Sequence, residues 1–335
     1  MKKSLMTLGV LALFVLMAYG QEKKFALYSV AFYNMENLFD TIHDEGKNDY
    51  EYLPNGTNQW NTMKYKAKLK NMSEILSLLS TDKLPMGPAI IGVSEIENYR
   101  VLEDILKQPT LADRGYQYVH YEGEDQRGVD CAFFYNPKLF ELTNSKLVPY
   151  VYINDTIHKT RGFLIASGNI AGEKMHFIVN HWPSRAAASP ARERAGEQVR
   201  AIKDSLLRED SAAKIVIMGD MNDDPMDKSM AVALGAKRKP ADVGPTDLYN
   251  PWWDTLKKGY GTLMYKGKWN LFDQIVFTGN LLGTDRSTLK FYKHEIFRRD
   301  FMFQKEGKYK GYPKRTQAGG VWLNGYSDHL PTIIY

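Results

Sequence analysis

Several apolar runs in this 335-residue chain break off into side chains that bind hard cations or form strong hydrogen bonds. Phe32-Tyr33 runs into Asn34, and Ile90-Ile91-Gly92-Val93 runs on to Glu95. Phe177-Ile178-Val179 gives Asn180-His181, and Ile215-Val216-Ile217-Met218 gives Gly219-Asp220-Met221-Asn222. The tips are drawn from Asn, Glu, Asp and His, with neither Ser nor Lys among them. Carboxylates, amides and imidazoles at the ends of rigid strands are suited to hold a divalent cation and the groups around it. If the strands share sheets, the tips gather along one rim. Between Asp220 and Asn222 one residue intervenes, and in an extended segment positions i and i+2 point to the same side.

The elements that must position these tips are legible as patterns. Apolar and aromatic runs predict strands at Phe25–Tyr33, Ala89–Val93, Asp130–Tyr135, Met175–Val179, Lys214–Met218, Leu271–Phe277 and Pro331–Tyr335. Helical spacing joins Tyr65, Leu69, Met72, Ile75, Leu76 and Leu79, with lysines on the other face. It also joins Ala195, Val199, Ile202 and Leu206, after Pro190. Strands interleaved with amphipathic helices imply an α/β layered fold. No repeat, low-complexity stretch or Ser/Pro-rich linker divides residues 21–335, which reads as one domain.

Hydrophobic residues make up 44% and charged residues 25%, which excludes collagen-like, coiled-coil and disordered chains. Lys+Arg 44 against Asp+Glu 39 gives +5, an excess that permits polyanion binding without requiring it. A single cysteine, Cys131, excludes an intramolecular disulfide framework and Cys-rich zinc modules. His43, His120, His158, His176 and His294 lack ligand spacing, so no zinc site is expected. Lys2 and Lys3, an apolar run from Leu5 to Ala18 and the Ala18-Tyr19-Gly20 exit describe a signal peptide over residues 1–20. The chain is therefore expected to be secreted or periplasmic, without a membrane anchor after cleavage. No protein partner can be inferred, and a monomer is expected.

Seven segments in one order resemble the endonuclease/exonuclease/phosphatase superfamily of metal-dependent phosphoesterases, which includes pancreatic-type deoxyribonuclease. They are Tyr33-Asn34-Met35-Glu36-Asn37, Gly92-Val93-Ser94-Glu95, Arg127-Gly128-Val129-Asp130 and Asn180-His181-Trp182-Pro183-Ser184, then Gly219-Asp220-Met221-Asn222, Phe272-Asp273-Gln274-Ile275 and Ser327-Asp328-His329-Leu330-Pro331. The resemblance implies a four-layer α/β sandwich of two packed, mainly antiparallel sheets flanked by helices. It also implies Mg²⁺ as cofactor, or Mn²⁺, with Glu95 as principal metal ligand, Asn34 as auxiliary ligand or orienter and Asp328 in the metal shell. By the same resemblance Asp220 holds and deprotonates the attacking water, Asn222 fixes water or phosphate, and His329 contacts phosphate with Asp273 orienting it. His181 matches the second histidine of the deoxyribonuclease-like members, with Asp130 as its partner. Asn180 binds phosphate or braces the rim, and Arg127, Arg161 and Arg185 lie near enough to motif segments to grip phosphates.

These residue types suit phosphodiester hydrolysis, which needs charge neutralisation, an activated water and leaving-group stabilisation. The leading expectation is an exported nuclease cutting DNA or RNA by in-line water attack. The alternative keeps the site and changes the substrate to a lipid head group or small phosphate ester, as in sphingomyelin and inositol-phosphate hydrolases. A binding module with a degenerate site would have lost at least one of Glu95, Asp220, Asn222, Asp273, Asp328 and His329. Asp223 and Asp224 read as solvated loop carboxylates, and Trp182, Trp252, Trp253 and Trp269 as packing residues.

Overall fold

The computed structural model describes residues 25–335 except 154 and 156, so the expected signal peptide lies outside the described residues. The chain opens with β1 (Val30–Leu38), α1 (Thr62–Leu78), β2 (Ile90–Ile96), α2 (Tyr99–Leu106), β3 (Gln117–His120) and β4 (Asp130–Tyr135). There follow β5 (Glu141–Val148), β6 (Phe163–Ile170), β7 (Glu173–His181), α3 (Ser189–Glu209), β8 (Lys214–Asp220), β9 (Ala236–Lys237), β10 (Leu248–Tyr249) and α4 (Trp253–Lys257). The last stretch holds β11 (Leu263–Tyr265), β12 (Lys268–Asn270), β13 (Asp273–Thr278), β14 (His294–Ile296), β15 (Gln317–Ala318), β16 (Val321–Trp322) and β17 (Thr332–Ile334).

One sheet has the order β14-β17-β1-β2-β4-β3 and the other β5-β6-β7-β8-β13-β10-β9. Most pairs are antiparallel, but β1 with β2, β7 with β8 and β9 with β10 run parallel. The period-2 alternation of each strand divides its side chains between two cores. Phe32, Phe133, Phe177, Val216 and Met218 fill the space between the sheets. Ala31, Tyr33, Ile91, Val93, Ala132 and Phe134 face outward onto Leu69, Met72, Ile75 and Leu76 of α1 and Val101, Leu102 and Ile105 of α2. On the far side Ile215 and Ile217 pack with Ala195 and Val199 of α3. The result is the expected four layers, helix, sheet, sheet, helix. No helix among the described residues is long and apolar enough to cross a membrane.

The helices start where the chain supplies side-chain acceptors for their free N–H groups. The Asn61 side chain accepts from Lys64 N, and that of Asn98 from Arg100 N and Val101 N. One expected feature of α1 differs. Lys68 is fully buried, its ammonium donating to Thr316 Oγ1 and to the Tyr326 carbonyl. A helical face covered by the segment around Thr316 and Tyr326 can bury a lysine because those oxygens replace water.

Strand positions also differ from expectation in an informative way. Phe25 and Leu27 are exposed and precede the sheet, while β1 continues past Tyr33 to Leu38. The ladder survives its polar residues through register shifts, one on β1–β2 between Asn34 and Leu38 and one on β2–β4 between Ser94 and Ile96. Glu36, Asn37 and Glu95 take positive φ values of 46°, 53° and 60° there. Irregularities of this kind re-aim side chains at a sheet end, and non-glycine residues in this region carry strain of about 1–3 kcal/mol each.

Candidate metal and phosphate site

The ends of five strands meet at one rim. Register places His181 of β7 beside Asp220 of β8, and Asp220 beside Asp273 of β13. Asn34 and Glu95 arrive from β1 and β2 of the other sheet, and Asp328 and His329 from the approach to β17. The Asn34 amide ties the two sheets together, donating to Glu95 Oε1 and to Asp220 Oδ2, each at 3.0 Å. His181 Nε2 lies 3.7 Å from the same two oxygens. His329 Nδ1 pairs with Asp273 Oδ2 at 2.7 Å, and its Nε2 stands 3.8 Å from Asp220 Oδ2 and 3.9 Å from Asp328 Oδ1. Two overlapping triads result, Glu95/His181/Asp220 and Asp220/Asp273/His329, each with ligand atoms within 4.8 Å of one another.

Burial and charge set the protonation states. Burial pushes the His329 imidazole down, but the Asp273 and Asp220 carboxylates outweigh it and hold the ring well above its usual value. His181 lies well below its usual value because it is buried and because Arg161, Arg127 and His329 add positive potential. Asp220 is pushed up to about 7 by burial, an effect that His329 opposes and Asp273 reinforces. The site thus contains one charged and one neutral imidazole with a carboxylate poised near neutrality between them.

The residues fit a hard divalent cation. Glu95 and Asp220 present oxygens across the Asn34 amide, few enough carboxylates to suit Mg²⁺ or Mn²⁺. Buried His181 Nδ1 and Asp273 Oδ1 have no hydrogen-bond partner among the described residues. Glu95 would be the principal holder. Asn34 accepts from Glu36 N through its Oδ1 at 2.8 Å and turns its N–H groups to the carboxylates, an arrangement that suits an orienter better than a ligand. Asp328 gives one oxygen to Arg315 Nη2 at 2.8 Å.

Several expectations need correction. Asp130 does not partner His181. It accepts from Gly123 N at 3.1 Å and lies 3.3 Å from His120 Nε2, because it starts β4 next to the end of β3. The same fold brings His120, Glu122 and Asp130 together, which their spacing did not suggest. Asn222 is not on an extended continuation of Asp220, since its φ is +52°. Its backbone N–H caps Asp220 Oδ1 at 2.9 Å and its side chain donates to the Trp182 carbonyl at 3.0 Å. Asn180 braces the rim, its amide donating to the Ile178 and Met218 carbonyls and accepting from Trp182 Nε1. Asp223 is buried and binds Arg192 and Ser229, and Asp224 accepts from Leu271 N. Neither is a solvated loop carboxylate. Arg185 bonds Asp223, Asp224 and Asp227 and lies over Phe272, and Arg161 is buried against Asp125 and the Trp182 carbonyl. Arg127 stays about half exposed, 3.5 Å from Asp125.

Glu36 belongs to the first motif, where no role was expected of it. It is buried, accepts from Arg315 Nε at 2.8 Å and Thr316 N at 2.7 Å, and lies 3.9 Å from Lys68 Nζ. Burial and Asp328 push it up to about 7 against the pull of Lys68 and Arg315. A charged residue inside an otherwise buried strand was the available signal.

A two-sheet α/β sandwich whose rim gathers carboxylates, amides and two imidazoles is an arrangement able to hold a divalent cation. A family model, Endonuclease/Exonuclease/phosphatase family, matches residues 29–335, and the chain belongs to that family of phosphoesterases. Among solved structures it is similar to a mannosyl-6-phosphatase from Bacteroides thetaiotaomicron (14% identity, 92% of this chain and 99% of that one, TM-score 0.56). TDP2 from Caenorhabditis elegans is similar at 16% identity (92% and 96%, TM-score 0.54). TDP2 from D. rerio in complex with a single-strand DNA product is similar at 15% identity (92% and 97%, TM-score 0.53). Likeness at such identities shows the fold. A sequence search of curated proteins finds no match.

Proposed function

We propose that the chain hydrolyses phosphate esters with a divalent cation, Asp220 accepting the proton of the attacking water and His329 countering phosphate charge. The observation that carries this reading is the convergence of Glu95, Asp220 and His329 from both sheets on one rim. Bound Mg²⁺ or Mn²⁺ would neutralise phosphate charge and make the water more acidic. Asp220, its Oδ1 held by Asn222 N and its Oδ2 by the Asn34 amide, is fixed as the carboxylate able to take that proton. His329, kept protonated by Asp273 and Asp220, can donate from Nε2 to a phosphate oxygen. Neutral His181 lines the opposite side of the Asp220–Glu95 pair and can donate or accept without adding charge.

For the substrate, the DNA product bound by D. rerio TDP2 favours a nucleic acid, and the Bacteroides mannosyl-6-phosphatase favours a small ester. Internal pairing of Arg185, Arg161 and Arg315 favours the small ester, because a nucleic-acid backbone binds through cations free to displace its counterions. Export is part of the proposal and rests on the pattern of residues 1–20 alone.

Purified protein assayed with Mg²⁺ or Mn²⁺ on plasmid DNA, RNA, sphingomyelin, bis(p-nitrophenyl) phosphate and phosphate monoesters tests the reading. Turnover is expected with metal and absent with chelator. His329→Gln is expected to lower kcat by about 10²–10⁴-fold in a folded protein. Glu95→Gln is expected to abolish Mn²⁺ binding by calorimetry. Full activity in chelator or in either variant rules the mechanism out.

A further inference from the structure

Beside the site lies a polar cavity of about 400 Å³, within the size range of small-molecule sites, about 300–1,000 Å³. One wall is the loop carrying Tyr50–Tyr52 and Asn58, and the other is the Gly319-Gly320 turn between β15 and β16. Glu36, Asn37 and Arg315 belong to both cavity and site. Asn37 N donates to Glu95 Oε2 at 2.9 Å, and Arg315 bonds both Glu36 and Asp328. A group seated in the cavity therefore reaches Asn37, the residue whose backbone N–H binds Glu95.

We infer that this cavity receives the non-phosphate portion of the substrate, and that this portion is a neutral, hydroxyl-rich group of monosaccharide size. The inference rests on the phosphoester reading above. Asn37, Asn58 and Gln317 supply amides able both to donate and to accept, Glu51 supplies an acceptor, and Tyr52 and Tyr309 supply aromatic surface. Among the described residues the hydrogen bonds of Asn37 and Asn58 run through backbone atoms, which leaves their amides for a ligand. Hydroxyls, each a donor and an acceptor, match that set. An acyl chain would strip water from these groups and return no hydrogen bonds. A nucleic-acid strand would bring further phosphates against Glu51, while Arg315, the cationic residue of the lining, is already paired with two carboxylates. In the reaction the water oxygen forms a P–O bond as the ester P–O bond breaks. Water loses its proton to Asp220, the leaving oxygen takes one from solvent, Asp220 returns its proton to solvent, and the products are the free hydroxyl compound and inorganic phosphate.

The test compares glucose 6-phosphate and mannose 6-phosphate with ethyl phosphate and with a single-stranded oligonucleotide, all with Mg²⁺ and the full chain. One or both hexose phosphates are expected to exceed ethyl phosphate in kcat/KM by at least about 100-fold, since a site built to bind hydroxyls discriminates strongly against analogues lacking them. The double variant Glu51→Ala/Asn58→Ala is expected to lower that ratio about tenfold or more, chiefly through KM. Both positions lie on a loop, Glu51 exposed and Asn58 half-buried, so the fold should tolerate the change. Cleavage of the oligonucleotide with no preference for either hexose phosphate overturns the cavity assignment and leaves phosphoester hydrolysis standing. An unchanged ratio in the double variant also overturns the assignment. No turnover of any ester overturns the underlying reading and the assignment with it.

Discussion

Asp220 is the residue on which the site turns. It belongs to both ligand triads, accepts from Asn34 and from Asn222 N, and faces two imidazoles. Its carboxyl sits at about 7 when no cation is present, far above the roughly 3.9 of an unfolded aspartate. A group raised on folding stabilises fully below its unfolded pKa and loses that contribution as pH rises through its folded one. His329, also raised, loses its contribution over a window beginning near its unfolded value of about 6.5. In chelator the melting temperature is therefore expected to fall from about pH 4 to 9, with the part up to about pH 7 less steep in Asp220→Asn and the part above about pH 6.5 coming from His329. Scanning calorimetry across that range checks it. Equal slopes in the two proteins would show that Asp220 is not the titrating group.

Among the elements, the close contact of β7 with β8 is what brings His181 and Asp220 together. A Cβ on Gly219 would stand 2.4 Å from the Asn180 carbonyl oxygen, which is fixed in the sheet. A Cβ on Gly92 would meet Met218 Sδ at 2.5 Å, the end of a side chain able to turn aside. Gly219→Ala is therefore expected to cost about 1–3 kcal/mol, with Gly92→Ala costing less, as denaturant midpoints will show. The reverse order would mean that the inter-sheet core is less adaptable than the strand pair. These strands were legible because burial on both faces leaves unbroken apolar runs, as in Ile215-Val216-Ile217-Met218. The edge strand β5 was missed because its residues, Glu141 to Val148, are exposed or partly exposed throughout and carry no such run. Glu36, Asn37 and Glu95 were legible as members of the motifs, but their left-handed backbone was not, since nothing in their side chains announces it.

For the whole molecule, a cation held by residues from both sheets, as proposed, would link binding to global stability. Binding only to the folded state adds RT ln(1 + [L]/Kd), about 2.7 kcal/mol at a hundredfold excess over Kd. Mn²⁺ at that level is expected to raise the melting temperature by a few degrees, and chelator to reverse the shift. Glu95→Gln should show no such rise, and an equal rise in that variant would place the cation elsewhere. The cavity reaching Asn37 is likewise a property of the whole molecule, since its walls come from Glu36–Trp60 and Tyr309–Gly320.

The sequence alone determined the layered α/β class, the strands that form the centre of each sheet and the polar tips that meet at the rim. Those features follow from short-range patterns, apolar alternation and abrupt changes of residue type, which survive without knowledge of distant neighbours. Pairing was decided only by tertiary structure. It gave Asp130 to His120 instead of His181, locked Arg185 among Asp223, Asp224 and Asp227, buried Lys68 near Glu36, and set Glu51 and Asn58 across a cavity from Gln317. The energy of a charged or polar side chain depends on which groups replace its water, and in this chain those groups come from segments as far as 280 positions away.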